Sequence, residues 1–174
     1  NKNCEDVLYL IDSALKEKQI VDNIRNELLR KPAERNLYPK VLEELKKADL
    51  IVFSSGSLLT SIMPHIIVPE IQEAIKSSKA KKMYICNMIT QPGETDNFKV
   101  SDHLKVLEQY LGKNVINVVV ANNAKLPKNM SLFAKSEGKE PVDIDEKKNE
   151  KMGIHLIEEK LFTVEEGYIR HDSL

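Results

Sequence analysis

The chain has 174 residues, 41% of them hydrophobic, and a formal net charge of -1, so it can bury one core and has no overall attraction to nucleic acid. The sequence shows no signal peptide and no apolar run approaching membrane-spanning length, and Cys4 and Cys86 lie far apart. These features favour a cytoplasmic protein that binds no nucleic-acid polymer and is not inserted in a membrane. Any anion site must therefore be local.

The first predicted elements are helices. Apolar residues recur at helical spacing over residues 7–15 and again over residues 20–28. A short helix is predicted over residues 41–45. We therefore interpret residues 1–48 as a mainly helical lead-in to the core.

Residues 49–121 carry the pattern of a parallel sheet. Leu50–Phe53 is continuously apolar, as expected of a strand covered on both faces. The pattern then predicts a helix over residues 62–75, bent or broken near its two prolines, and a second strand at Met83–Cys86. Ser101 is the predicted N-cap of the next helix, which ends before Gly112. A third strand is predicted over residues 115–121.

Beyond residue 121 the pattern weakens. Short apolar runs at Ile154–Ile157 and Leu161–Val164 follow a charged stretch, and we interpret residues 122–174 as the irregular edge of the same sheet. No repeat or linker marks a second domain. We predict one α/β domain over residues 1–174, with an open parallel sheet and helices on both faces.

The turn between the first strand and the next helix has the composition of a phosphate cradle. Small residues leave backbone N–H groups unobstructed, and the helix that follows adds first-turn donors and the positive end of its dipole. A plain strand-to-helix turn with an N-cap serine explains the same pattern equally well. The candidate ligand-binding residues are Ser55, Gly56, Ser57, Leu58, Thr60 and Ser61.

A polar loop follows the second strand, at the same edge of the predicted sheet. Asn87 and Gln91 can read a base or sugar edge, while Glu94 and Asp96 can hold sugar hydroxyls, a cation or a proton. The alternative is a solvated loop with a Pro-Gly turn. We favour a functional loop because ligands bind beyond the carboxyl ends of parallel strands. Its candidate residues are Asn87, Thr90, Gln91, Gly93, Glu94, Thr95 and Asp96.

Other residues with reactive side chains are weaker candidates. The four histidines lack metal-ligand spacing, and Cys86 is interpreted as a small buried hydrophobe. Arg170, beside His171 and Asp172, is a surface residue by default. Near a phosphate it would bind bidentately.

Together these stretches resemble the YvcK and CofD superfamily, which comprises gluconeogenesis factors and phospholactate transferases. The YvcK branch typically has Gly-Pro-Gly-Ser-Leu-Tyr-Thr-Ser after a buried strand, then Thr-Gln-Pro-Gly-Glu-Thr-Asp and Ser-Asp-His. This chain has Ser54–Ser61, Thr90–Asp96 and Ser101–His103 at the corresponding positions. The resemblance is specific from about Asp49 to Gly112 and thin beyond.

The resemblance implies a Rossmann-like fold and a regulatory factor that binds uridine-diphosphate (UDP) sugars and supports gluconeogenic growth, cell shape and cell-wall synthesis. Members of that branch are not established enzymes. The enzyme alternative is transfer of a phospholactate unit to a deazaflavin, in which Asp96 or Glu94 would hold magnesium or activate the acceptor. Apart from that magnesium, no metal or cofactor is expected. We favour binding over transfer.

Three departures from the family pattern qualify these expectations. The family's N-terminal glycine-rich turn has no counterpart in residues 1–49, so we expect the chain to be the C-terminal part of a larger fold. Ser54 and Ser55 replace Gly-Pro, and Phe133 stands where relatives tend to carry a tyrosine near the ligand. A divergent interaction fragment that binds no ligand is therefore the third interpretation. Homo-oligomerisation is compatible with all three.

Overall fold

The computed structural model describes residues 39–165 and 168–171, with side chains for residues 40–164. The helices predicted over residues 7–15 and 20–28 lie outside this range. The described strands are β1 (Leu50–Phe53), β2 (Lys81–Ile85), β3 (Val118–Asn122), β4 (His155–Glu159), β5 (Phe162–Glu165) and β6 (Tyr168–His171). The helices are α1 (Pro39–Lys47), α2 (Met63–Ile66), α3 (Pro69–Ser77), α4 (Val100–Leu111), α5 (Lys128–Ser136) and α6 (Glu146–Lys151), and a π-helical segment, Leu58–Ile62, leads into α2.

Four strands form one parallel sheet in the order β1-β2-β3-β4, which confirms the predicted α/β fold. Val52 of β1 is in register with Met83 of β2, which is in register with Val118 of β3. Because the strands are parallel, their carboxyl ends share one edge of the sheet, and the loops after β1 and β2 emerge side by side. Strands β5 and β6 pair separately as an antiparallel hairpin.

The hydrophobic core lies on one face of the sheet. Ile51, Phe53, Tyr84 and Val119 alternate with less buried neighbours and point into it. Helices α1 to α4 and the end of α6 supply the other side through Leu45, Ile66, Ile75, Leu104, Leu111 and Met152. The packed helices therefore fix the position of the sheet and, with it, the carboxyl ends of the strands from which the candidate loops emerge.

The predicted start of helix α4 is wrong. The helix begins at Val100 with Lys99 as its N-cap, and the carboxylate of Asp102 accepts a hydrogen bond from the Lys99 N–H. Ser101 lies in the first turn, where its N–H and its hydroxyl donate to Asp145 at 3.1 and 2.5 Å. The Asp145 carboxylate, from a distant segment, therefore accepts a first-turn N–H of the helix, which is the capping role predicted for the Ser101 hydroxyl. The predicted end is confirmed, because Gly112 follows the helix with φ of 93°.

Of the two apolar runs assigned to the sheet's edge, Ile154–Ile157 falls largely in β4, which pairs with β3. The other, Leu161–Val164, lies in the separate hairpin of β5 and β6, so its assignment to the same sheet is wrong. Helices α5 and α6 were not predicted there. Each buries a single side chain, Ala134 in α5 and Asn149 in α6, and both are too short to carry the repeated apolar stripe by which helices are recognised. Helical structure also begins earlier than predicted after β1, at Leu58 instead of residue 62. None of the helices in residues 39–165 has the length and apolar character needed to cross a bilayer.

Candidate functional site

Glu94 joins the two predicted loops. Its carboxylate oxygens lie 2.8 and 2.7 Å from the hydroxyl of Ser57, which donates to them, and Oε1 also accepts the N–H of Leu59 at 2.9 Å. Only 8% of Glu94 is exposed. The turn after β1 thus presents a hydroxyl and a backbone N–H to an anionic group, which here is a carboxylate of the same chain.

Ser57 is the centre of this hydrogen-bond network. Its oxygen accepts the N–H of Thr60 at 3.2 Å, as an N-cap, and lies 2.5 Å from the Thr60 hydroxyl. Since the single Ser57 proton is directed to Glu94, the Thr60 hydroxyl must be the donor in that pair. Ser57 is therefore both the N-cap of the helix and a hydrogen-bond donor to an anionic group.

Gly56 has a steric role in the turn. A Cβ at this position would lie 2.8 Å from Cβ of Ser61, closer than non-bonded carbons approach one another. Its φ lies outside the positive region, so a positive-φ turn does not explain the glycine. The explanation is the close packing of the turn against the first residues of the helix.

The loop after β2 is held by its own side chains. The hydroxyl of Thr95 accepts the Gln91 N–H at 2.9 Å, and the carboxylate of Asp96 accepts the Gly93 N–H at 2.6 Å. Gly93 has φ of 79°, which glycine adopts without strain. Thr95 and Asp96, predicted as ligand-binding residues, therefore have structural roles that fix the position of Glu94.

A second attachment fixes the start of this loop. Thr90 donates its N–H to the carbonyl of Glu140 at 2.7 Å, and its hydroxyl accepts the Glu140 N–H at 2.9 Å. Next to it, Gln91 carries a buried Oε1 that has no hydrogen-bond partner among the described residues. Because a buried acceptor without a donor is costly, Gln91 is the residue of this loop best suited to receive a ligand N–H.

Two aromatic side chains lie beneath the loop: Tyr84, which the sequence did not single out, and His103, which belongs to the Ser101–His103 motif and was rejected as a metal ligand. The Tyr84 hydroxyl donates to Oδ1 of Asn87 at 3.3 Å and orients that side chain, and burial raises the pKa of Tyr84. The Nδ1 of His103 donates to the carbonyl of Lys99 at 3.0 Å. Burial lowers the pKa of His103, which favours the neutral imidazole. A polar side chain in an apolar strand was the available signal for Tyr84.

Beside the Ser54–Ser61 turn lies a cavity of about 560 Å³ between β1, α1 and α3. Its walls are mostly apolar, and Ser55, Gly56 and Ser61 line the end nearest the turn. Such a mixture of apolar walls and a few polar groups is typical of small-molecule sites.

Not every predicted residue joins the site. The side chain of Leu58 is fully buried in the core, so only its backbone can face a ligand. Arg170 lies in β6 opposite Thr163, and its side chain is outside the described part. The assignment of Arg170 to a phosphate therefore stays a prediction.

The sequence and the fold both match known proteins. Residues 9–162 match the family described as 2-phospho-L-lactate transferase CofD. The gluconeogenesis factor of Bacillus subtilis is 37% identical over 142 residues, which are 82% of this chain and 45% of that protein. A putative gluconeogenesis factor of Thermotoga maritima is 47% identical over 107 residues, 62% of this chain and 34% of that protein.

A solved structure gives the same result. A protein of the UPF0052 family from Bacillus halodurans superposes with a TM-score of 0.77 at 35% identity, over 81% of this chain and 46% of that chain. The chain therefore spans less than half the length of these relatives. The resemblance predicted from the two loops is confirmed, and we conclude that the chain belongs to the 2-phospho-L-lactate transferase CofD family, among whose members it matches gluconeogenesis factors.

Proposed function

We propose that this protein binds a UDP-sugar, with the Ser54–Ser61 turn on the diphosphate and the Asn87–Asp96 loop on the base or sugar. The observation that carries the proposal is the contact of Glu94 with Ser57 and Leu59. A hydroxyl and a backbone N–H that hold a carboxylate at 2.7–2.9 Å have the geometry and polarity to hold a phosphate oxygen.

The same contact implies competition. A phosphate that takes these donors must displace the Glu94 carboxylate, and two anions would repel each other in one partly buried site. Binding therefore requires the Glu94 side chain to turn away from Ser57. The free energy of that displacement lowers the affinity of the chain for its ligand.

The base and sugar are assigned to the second loop by its free polar groups. Gln91 has a buried acceptor without a described partner, and the side chain of Asn87 is oriented by Tyr84. Together they can offer both a donor and an acceptor to the edge of a pyrimidine.

Nuclear magnetic resonance of the ¹⁵N-labelled chain tests this proposal. We expect weak, saturable binding of UDP-sugar, with amide shifts concentrated at Ser57–Thr60 and Gln91–Thr95. The expected affinity is low because the ligand must displace the Glu94 carboxylate, and each charge-assisted hydrogen bond given up in that exchange is worth about 1.5–3 kcal/mol. No shift at millimolar ligand, or shifts spread evenly over the surface, would contradict the proposal.

Group transfer is the second candidate, because the matching family carries the description of a transferase. In that case Asp96 or Glu94 would bind magnesium or activate an acceptor hydroxyl. Both carboxylates, however, already accept hydrogen bonds from the protein, and this arrangement supports binding more than proton transfer. Turnover of a guanosine-diphosphate phospholactate donor with a deazaflavin acceptor would establish the transferase instead.

The cellular role follows the relatives. Since the matched proteins are gluconeogenesis factors, we propose that this chain is a regulatory factor for gluconeogenic growth, linked to cell shape and cell-wall synthesis.

A further inference from the structure

A further cavity lies where β3 ends, and its volume is about 490 Å³. Small-molecule sites usually have volumes of about 300–1,000 Å³. The cavity is lined by residues 122–126, 131, 141–144 and 158, which belong to the end of β3 and the loop after it, to α5, to the segment between α5 and α6, and to β4. Within the described part of the chain, its lining includes no residue of the turn after β1 or the loop after β2. We call it the β3-end cavity, and it is distinct from the candidate site.

Hydrogen bonds fix the wall that the loop after β3 forms. The side chain of Asn122 donates to the Ala124 carbonyl at 2.8 Å, and its Oδ1 accepts the Leu161 N–H at 3.1 Å. The next residue, Asn123, donates its N–H to the Glu159 carbonyl at 3.1 Å. The loop is therefore attached to β4 and to the residue that precedes β5.

The wall formed by residues 141–144 is also held in place. The N–H of Val142 donates to the Met88 carbonyl at 2.9 Å, and the carbonyl of Asp143 accepts the Val100 N–H at 3.1 Å. This segment is thereby attached to the loop after β2 and to the start of α4. Since two of its walls are fixed, the cavity needs little ordering of the chain when a ligand binds, which favours affinity.

Two opposite charges line the β3-end cavity without forming an ion pair. Lys125 and Glu158 both line it and are exposed, and neither has an ion-pair partner among residues 40–164. The third charged residue of the lining, Asp143, has its carboxylate 3.7 Å from the ammonium of Lys99. The charges left for a ligand are therefore one positive and one negative.

The rest of the lining is partly polar and partly apolar. Asn123 contributes an amide and Ser131 a hydroxyl. Leu126 and Ile144 are half-buried, and Val142 is buried. Apolar walls with a few polar groups are typical of sites for small molecules.

We propose that the β3-end cavity binds a free α-amino acid, whose carboxylate pairs with Lys125, whose ammonium pairs with Glu158, and whose side chain packs on Leu126 and Ile144. A zwitterion satisfies both free charges at once. An inorganic phosphate would be repelled by Glu158, and a polyamine would be repelled by Lys125. A neutral sugar would leave both charges without an opposite charge.

Nuclear magnetic resonance of the full ¹⁵N-labelled chain tests this proposal without any nucleotide present. The common L-amino acids are added one at a time at millimolar concentration, with glucose and inorganic phosphate as further probes. We expect at least one amino acid to cause saturable amide shifts concentrated at residues 123–126 and 142–144. We expect no such shifts with glucose or phosphate.

Variants and ligand derivatives test the two charge assignments. Lys125→Met and Glu158→Gln should each weaken binding of that amino acid by about tenfold or more, because each removes one charge-assisted pair. The carboxamide of the amino acid lacks the carboxylate, so it should bind the wild-type chain about tenfold more weakly than the acid, while Lys125→Met should bind both alike. The N-acetyl derivative lacks the ammonium and should behave in the same way with Glu158→Gln.

Lys128→Met and Glu159→Gln are the matched controls. Both residues are exposed neighbours that do not line the cavity, so both variants should bind the amino acid as the wild type does. Thermal melts verify that every variant is folded, and the ligand derivatives test the charges on the wild-type chain if one is not.

Four results would overturn the proposal. They are the absence of saturable shifts with any amino acid, shifts centred outside the cavity, control variants that lose as much affinity as Lys125→Met and Glu158→Gln, and a response to glucose or phosphate alone. Because no nucleotide is added, none of these results depends on UDP-sugar binding.

Discussion

The carboxylate of Glu94 is bound by the hydroxyl of Ser57, 37 residues away in the sequence, at 2.7 and 2.8 Å. One hydrogen-bonded pair therefore joins the two loops that the sequence marks as ligand-binding. It closes the turn after β1 and the loop after β2 into a single structure, and it places a negative charge where a ligand phosphate is expected.

The first prediction concerns Glu94→Gln. The amide keeps the shape but loses the charge, so charge-assisted bonds become neutral ones, and we expect a loss of about 1–2 kcal/mol in the free energy of unfolding. We also expect tighter binding of UDP-sugar, because the competing carboxylate is gone. Urea unfolding and NMR titration measure the two effects. Glu140→Gln is the control, since Glu140 is exposed and touches the loop through its backbone; weaker binding by Glu94→Gln would argue against competition.

The second prediction compares two neighbours in the turn. Gly56→Val would place a side chain against Ser61, 2.8 Å from its Cβ, and overpacking of this kind typically costs about 1–3 kcal/mol. Ser57→Ala removes one N-cap hydroxyl, which costs about 0.5–2 kcal/mol. We expect Gly56→Val to reduce ligand binding more than Ser57→Ala in NMR titrations. Equal losses, or a larger loss at Ser57, would argue against a cradle formed by the backbone.

The third prediction separates binding from transfer. If the protein only binds, Arg170→Ala should weaken the UDP-sugar by removing a bidentate phosphate contact, while Asp96→Asn, which retains an acceptor for the Gly93 N–H, should change affinity little and independently of magnesium. If it transfers, Asp96→Asn should lower turnover strongly and leave donor affinity nearly unchanged. Paired titrations and turnover assays with and without magnesium distinguish these outcomes. Unchanged affinity in Arg170→Ala would remove Arg170 from the site.

The fourth prediction is a pH dependence of stability. Burial lowers the pKa of His103 below its ordinary value of 6.5, so the unfolded state binds the proton more readily than the folded state. Stability is therefore fully present above pH 6.5 and falls as the pH drops towards the folded-state pKa, by at most about 1.4 kcal/mol per pH unit for one proton. Urea unfolding from pH 7.5 to 5 should show this slope. His103→Leu should flatten it, and an identical slope in the variant would assign the effect to other groups.

The sequence predicts those features that depend on neighbours along the chain. The apolar run of β1, the helical spacing of α4 and the stop at Gly112 are local, and each is present. The bond between Glu94 and Ser57 and the bond between Asp145 and Ser101 join residues 37 and 44 positions apart. The sequence around a carboxylate in a polar loop is the same whether the carboxylate faces solvent or the start of a helix. Partners of this kind can therefore be identified only from the folded structure.

The short helices were missed for a different reason. In α6 the sequence Glu-Lys-Lys-Asn-Glu-Lys has no apolar residue, and its buried member is Asn149. Hydrophobic periodicity cannot detect a helix that is stabilised by its surroundings and not by an apolar stripe. The motif residues were recognisable, but their division between structural and ligand contacts was not, as Thr95 and Asp96 illustrate.

The paired hydrogen bonds between Thr90 and Glu140, together with the bond from the Val142 N–H to the Met88 carbonyl, have a consequence for motion. These hydrogen bonds attach the loop after β2 to a segment just after α5, 50 residues further along the chain. The two segments should therefore open as one cooperative unit, with matched amide-exchange rates. A ligand that orders the loop would then also slow amide hydrogen exchange at Glu140 and Val142, in the segment that follows α5.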